Sequence, residues 1–370
     1  MTSMVYFARL KTGKTRVNTI TKIQKLFDAA GFGNIIAEGE LVPVKVHFGE
    51  RGNDTYVRPV YVRQVVDKIK ARGGKPFLTD TNTLYSGSRH DSVEHLITAV
   101  EHGFSYSVVN APCIIADGLI SDNYREVPIK GKHFQSVKIA SDILSPGSML
   151  VLSHVKGHGM AGFGGAIKNL GMGCAPAAGK MDQHRGLRPL VDEKGCAGCG
   201  RCAAVCPRIA VHMEQDIAVV DDEICIGCGE CMTVCPVGSI SFDWDKDIVP
   251  FMEMMTEYAL GAVQGKDGRI GYMNFLIHIT PECDCVPWSD APIVPDIGIL
   301  ASTDPVAIDM ASFDLVKQQI GLRGSRLKDH FEPGDDKFEG TWEKTKGLVQ
   351  IQYGESIGLG SSKYTLKEIR

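Results

Sequence analysis

Short apolar runs at residues 5–9, 41–48, 76–79, 108–115, 136–140 and 149–154 have the length and β-branched content of strands. Between them, residues 21–30, 59–71 and 92–102 repeat apolar side chains three and four positions apart, the period of a helix with one buried face. The last two stop within two residues of a glycine, which suits a helix C-terminus. Beyond residue 246 the pattern resumes, with a helix over 251–263, strands over 270–279 and 293–301, and a helix opened by Thr303-Asp304-Pro305. Thr303 or Asp304 can cap that helix, Pro305 suits its first position, and Val306, Met310, Phe313, Val316 and Ile320 form its core face. This alternation predicts an α/β fold with mixed or parallel sheets and helices. From Lys328 onward the chain is charged and glycine-rich, and no element is predicted there.

Composition narrows the function. With 44% hydrophobic and 23% charged residues in 370, the chain is a folded one. A net charge of −4 gives no basic footprint, so no nucleic acid partner is expected. No uncharged apolar run reaches the length of a membrane span and the start has no secretory apolar segment, so no membrane partner and a cytoplasmic location are expected. Twelve cysteines in a reducing compartment point to metal ligands or catalytic groups before disulfides.

Their spacing carries most of the chemistry. Cys196, Cys199, Cys202 and Cys206 are repeated 29 residues later as Cys225, Cys228, Cys231 and Cys235, each run closed by a proline. This duplicated C-x2-C-x2-C-x3-C-P unit is the pattern of a bacterial-type two-[4Fe–4S] ferredoxin, in which the fourth thiolate of each run reaches the other cluster. The expected ligand sets are therefore Cys196, Cys199, Cys202 and Cys235 for one cluster, and Cys225, Cys228, Cys231 and Cys206 for the other. A pair of zinc sites is the plainer alternative. Gly198, Gly200, Gly227 and Gly229 suit tight cluster-binding loops, and strands at 209–213, 217–220 and 239–242 would complete two hairpins. The unit divides the chain into an α/β part at 1–188, an inserted two-cluster module at 189–245, and a C-terminal part at 246–370 that completes the main body. Ten acidic against three basic residues give the module a net charge of −7. That charge lowers a cluster's potential and suits docking on the basic face of a redox partner protein, or is simply a solvated surface.

Outside the cysteine runs, the most unusual stretch follows the strand at 149–154 and holds seven glycines between Gly157 and Gly173. Gly157, Gly159 and Gly162 satisfy G-x-G-x-x-G, but the glycines after them are too many for a long Rossmann helix. The expectation is a loop whose backbone N–H groups, those of Gly162, Gly164 and Gly165 among them, form an anion-binding nest beside Lys156, Lys168 and Lys180. Cys113 is expected in the core. Cys174, Cys283 and Cys285 are candidates to meet around a further metal or to serve as a redox couple. His47 and Glu50, at a strand end, are read equally as pocket and surface groups.

The segments KVHFGE, VRPVYVR, GGKPFLTDTNTLYSG, SHVKGHGMAGFGGAIKNLGMG, ITPECDC and DIGILASTDPVAID, with the cysteine runs, resemble uncharacterised iron–sulfur-centre proteins of a prokaryotic domain family of unknown function. Over roughly the first half, HGMAGFGGAIKNLGMG is also similar to the nickel-pincer-nucleotide lactate racemases. That similarity implies acid/base roles for His158 and His90, a carboxylate-binding Arg58, a nucleotide-derived cofactor on Lys168, and nickel ligation by His184. The leading expectation is an iron–sulfur oxidoreductase whose two [4Fe–4S] clusters serve a pocket at the glycine-rich loop and a small-molecule substrate. The alternatives are an electron-carrier subunit, and a racemase-like enzyme for a 2-hydroxy acid with structural clusters.

Overall fold

A computed structural model of the chain describes residues 2–12, 16–85, 87–242, 248–266 and 268–369. Asp243 and Asp245, counted in the module's charge, and its expected boundary at 245 lie outside the described residues. The main body is an eight-stranded sheet. Its strands are β1 (Ser3–Arg9), β2 (Leu41–Val46), β3 (Lys75–Asp80), β4 (Cys113–Ile115), β5 (Met149–His154), β6 (Ile270–Leu276), β7 (Gly298–Ser302) and β8 (Tyr364–Glu368), arranged β8-β1-β7-β6-β5-β2-β3-β4.

Five neighbours, β6-β5-β2-β3-β4, run parallel, while β7 is antiparallel to both β6 and β1. The sheet is mixed and mostly parallel. Helices cover both faces, which is why β5 and β6 are apolar without alternation and buried at every position. Helices Thr19–Ala29 and Pro59–Ala71 pack Ile23, Leu26, Val62 and Val66 on one side. Helices Ile248–Val263 and Pro305–Lys317 pack Phe251, Met255, Val306 and Ile308 on the other. Asp304 caps the latter helix, its carboxylate accepting from Val306 N–H and Ala307 N–H at 2.9 and 3.0 Å.

The expected strand at 293–301 forms only from Gly298, and the pattern comes out differently in three further places. The run 108–115 is split, because Asn110 adopts a left-handed conformation (φ 60°) that ends the turn Tyr106–Val109 before β4 begins. The strand Ser136–Ala140 lies outside the main sheet, paired antiparallel with Tyr124–Pro128. The tail beyond Lys328 forms helix Leu348–Ser356 and β8, an edge strand parallel to β1. Its order comes from that pairing, which leaves little apolar periodicity to detect.

Residues 189–242 build two small two-stranded sheets. Val211–Glu214 pairs with Ile217–Val220, and Pro189–Val191 with Ile240–Phe242, around a core that includes Cys202, Val211, Cys231 and Ile240. Among the described residues no helix is long and apolar enough to cross a membrane.

Candidate functional site

The connections from β2 lead outward to β3 and β4, and the chain then returns to set β5 on the other side of β2 and β6 beyond it. Connections thus diverge between β2 and β5, and in such sheets a crevice opens outside the carboxyl ends of the two strands. His47 follows β2, Asp80 closes β3 and His154 closes β5. The segment 277–297, between β6 and β7, brings Cys283-Asp284-Cys285 to the same place.

Buried charges line this edge. Lys45 Nζ lies 2.8 Å from Asp80 Oδ1 and 2.6 Å from Asn169 Oδ1. Burial alone would raise the Asp80 carboxyl, but Lys45, with Arg89 beyond it, holds it far below the ordinary range. Arg89 bridges Glu50 at 3.1 Å and Asp80 at 3.7 Å. Glu50 also accepts from the backbone N–H of Ser88 at 2.6 Å. Asp284 receives Nδ1 of His154 at 2.8 Å and Lys156 Nζ at 3.0 Å, while His154 Nε2 faces the carbonyls of Ile277 and His278. Burial opposes ionisation of Asp284, and His154 and Lys156 overcome it.

Above this layer sit the reactive side chains. Lys168 Nζ donates to Cys283 Sγ at 3.3 Å. The bond from Cys285, against the penalty of burial and with the charges of Lys168 and Lys156, holds Cys283 well below the usual thiol range. Cys285, the donor, is pushed well above it by the same bond. Lys168 at 3.3 Å thus favours the thiolate at Cys283, with the proton on Cys285. Among the described residues, only His158, Cys283 and Cys285 bring three candidate ligand atoms within 4.8 Å of one another. His158 Nδ1 accepts the backbone N–H groups of Met160 and Ala161 at 3.1 and 3.0 Å. Burial and then Lys168 push this histidine well below 6.5, so the ring is neutral with its proton on Nε2. His184 is arranged the other way: Nδ1 donates to the carbonyl of Lys180 at 2.7 Å, leaving Nε2 as an acceptor, and burial lowers it to about 4.

The cysteine runs meet this site through His184. A hollow is lined by Cys196, Cys199, Cys202 and Cys235, with Met213, Ala218 and Ile240 behind them. Cys206 sits instead among Cys225, Cys228 and Cys231, where burial and then neighbouring thiols push Cys231 up to about 12. Gly227, between Cys225 and Cys228, packs on the main chain at 184–187; a Cβ there would stand 2.8 Å from the His184 carbonyl and 2.6 Å from that of Leu187.

Of the residues expected at the site, His158, Lys168 and His184 are brought close enough to perturb one another electrostatically. Arg58 and His90 are both exposed. Arg58 stacks on Tyr61 and reaches His278 at 3.5 Å, and His90 contacts the Tyr85 carbonyl. Glu50 is buried, and His47 is half-buried with burial holding it neutral.

The stretch expected to form an anion nest folds as a hairpin followed by a short helix. Gly162 and Gly164 belong to a hairpin of Lys156–His158 with Gly162–Gly164. After Gly165, the N–H groups of Ala166 and Ile167 are taken by the carboxylate of Asp309 at 2.7 and 2.8 Å. Gly165 leaves room for that carboxylate, and Gly162 (φ 73°) for the main chain of Gly347. Lys180 is sequestered too, donating to Thr81 Oγ1 and the carbonyls of Asn82 and Ala175. Cys174 does not join Cys283 and Cys285: it is buried, pushed up to about 11 by burial, beside Lys45 and Asp80. Cys113 is half-buried, its thiol donating to the Phe104 carbonyl at 3.2 Å.

Asp284, Asp80, Arg89 and Lys45 were not singled out from the sequence. A charge at the carboxyl end of an apolar strand run, as in LVPVKV and KPFLTD, is the signal that marks two of them.

None of the curated proteins compared matches the chain. Among solved structures, a lactate racemase apoprotein from Thermoanaerobacterium thermosaccharolyticum is similar at a TM-score of 0.38 and 11% identity, over 74% of this chain and 51% of that one. A structural-genomics target protein from Thermotoga maritima is similar at 0.39 and 7%, over 92% and 58%. The matched part is thus a little over half the length of each. The family model described as Domain of unknown function (DUF362) matches residues 42–314, from β2 through the crevice to the helix capped by Asp304, and the chain belongs to that family.

Proposed function

We propose that the protein is an iron–sulfur oxidoreductase that works on a small molecule held between His158, Lys168 and His184. Cys196, Cys199, Cys202 and Cys235 would hold one [4Fe–4S] cluster, and Cys225, Cys228, Cys231 and Cys206 the other. Bound there, the clusters supply single electrons at low potential. The observation that carries the reading is the seat of Gly227 on the main chain of His184 and Leu187, which sets the second cysteine loop against the site.

The donor set suits clusters better than zinc. Four sulfurs around one zinc, at about 2.3 Å per bond, stand roughly 3.8 Å apart. Among the described residues no three thiols of the two runs come within 4.8 Å of one another. Among these three residues, His184 Nε2 accepts a proton, His158 carries one on Nε2, and Lys168 holds negative charge at Cys283. A redox partner protein on the acidic face and a reducing cytoplasm complete the proposal.

Anaerobically purified protein should contain iron and acid-labile sulfide. After reduction by dithionite it should be reoxidised by a small acceptor with no protein partner added. Zinc without sulfide would overturn the proposal, and reoxidation only through a partner would make the chain an electron carrier.

The convergence of His158, Lys168 and His184 favours one second reading, a racemase-like enzyme for a 2-hydroxy acid. His184 Nε2 fits a nickel ligand, but Lys168 would have to leave Cys283 before it could hold a cofactor. Nickel, with a mass adduct on Lys168 in protein from its native host, is the result that reading requires.

A further inference from the structure

The segment between β6 and β7 places two cysteines, separated only by Asp284, beside His154 at the carboxyl end of β5, and neither is among the eight of the repeat. Asp284 is fully buried and fixed from both sides by His154 and Lys156. It pins the tripeptide, so the two sulfurs are held near each other and beside a ring nitrogen of His158. Lys168 adds an ammonium at 3.3 Å from Cys283 Sγ.

Two chemistries fit sulfurs so placed, a metal site and a reversible disulfide. The histidine decides between them. Nδ1 of His158 already accepts two backbone N–H groups, so the neutral ring keeps its proton on Nε2. A metal would have to displace those two bonds or that proton, whereas a metal-binding histidine normally donates its second nitrogen to an acceptor. Lys168 likewise places a cation where the metal's charge would lie. Both donors instead suit a lone thiolate, which is the attacking form in thiol–disulfide exchange.

We propose that Cys283 and Cys285 are a redox-active dithiol–disulfide pair, with Cys283 attacking and Cys285 resolving, whose oxidant is a low-molecular-weight disulfide. The thiolate of Cys283 attacks one sulfur of the disulfide R–S–S–R. The S–S bond breaks, one RS⁻ leaves and takes a proton from solvent, and Cys283–S–S–R forms. Cys285 then attacks Sγ of Cys283, its proton goes to the second departing RS⁻, and the Cys283–Cys285 bond closes. Two electrons have passed from the pair to the substrate, and two thiols have left. Cys283 is only 3% exposed, which excludes a protein disulfide and leaves a small one as the class of oxidant. Restoring the thiolate–thiol pair takes two electrons and one proton, and this return step alone rests on the iron–sulfur reading above.

The test uses the full-length protein, prepared anaerobically, with glutathione disulfide as the probe. Iodoacetamide at neutral pH should alkylate Cys283 about tenfold faster than Cys285. Glutathione disulfide should convert the peptide carrying both cysteines to an internal disulfide that resists alkylation. Cys285→Ser should stop at a glutathione adduct on Cys283, and Cys283→Ser should give none. Lys168→Met should move the pH profile of Cys283 alkylation upward and Lys168→Arg should leave it near the native one, a rescue that misfolding does not give. Equal or reversed labelling rates, failure of the internal disulfide to form, or a stoichiometric metal lost in both Cys→Ser variants would overturn the proposal. None of these readouts needs clusters, so a protein without iron that still closes the disulfide would sink the iron–sulfur reading and leave this one standing.

Discussion

Gly227 lies against His184 so closely that the carbonyl of His184 would stand 2.8 Å from any Cβ at position 227. The glycine is also left-handed, at φ 67°. Two demands therefore meet at one residue: a loop turn between Cys225 and Cys228, and a seat on the main chain of His184 and Leu187.

Gly227→Ala should break the seat. The left-handed backbone alone costs roughly 1–2 kcal/mol for a residue with a Cβ, and contact with two carbonyls adds to it. Gly198 is the internal control, since it occupies the matching loop at φ 65° and faces Asp216 within the cysteine-rich unit. Both alanine variants should lower the melting temperature, but only Gly227→Ala should slow electron delivery from dithionite-reduced protein to a small acceptor. Equal slowing in both would disconnect the seat from electron flow.

Cys235 shares its hollow with Cys196, Cys199 and Cys202 and not with its own run. Cys235→Ala should therefore halve iron and sulfide by damaging the cluster of the first run. The EPR signal that survives should be the one removed by Cys225→Ala. Survival of the first-run signal would refute the crossed assignment.

Much of the main body was legible because local signals and tertiary demands agree. β5 occupies the apolar run at 149–154, the helix Pro59–Ala71 begins at its proline, and Asp304 caps where a capping residue was expected. Where long-range partners decide, the pattern was silent. Nothing near Gly165 announces that Asp309 will fill the helix start there, and nothing near Cys174 says that it turns toward Lys45 instead of Cys283. The crevice was half legible. Its lysine and histidines stand in a glycine-rich stretch, while the ion pairs that position them join residues on separate strands and loops.

Lys45 and Asp80 form such a pair, and each is almost wholly buried. Removing one partner of a buried pair typically costs about 3–5 kcal/mol, because the other charge is left unpaired. Lys45→Met should destabilise the protein by that amount in urea titrations at pH 7. The loss should shrink toward pH 5, since an Asp80 without its ammonium can take up a proton. Lys45→Met with Asp80→Leu should recover part of the stability. A double variant as unstable as the sum of the two single variants would mean that the pair contributes no coupling.

Asp309 gives the opposite pH dependence. Its carboxylate accepts from Ala166 N–H, Ile167 N–H and Asn274 Nδ2, yet burial outweighs these bonds and raises it from 3.8 to about 6. An acid raised in the folded state binds more protons folded than unfolded between those two values. Stability from this group is therefore full below about pH 4 and falls as pH rises to about 6, by on the order of 3 kcal/mol in all. Asp309→Asn keeps one acceptor but turns an N–H toward a backbone donor, so it should lose about 1–3 kcal/mol near pH 4. Between pH 4 and 6 its stability should lack the downward slope that Asp309 contributes. The variant should thus approach or overtake the native protein near pH 7. Parallel stability curves for the two proteins across pH 4 to 6 would show that Asp309 ionises in the fold as readily as in the unfolded chain.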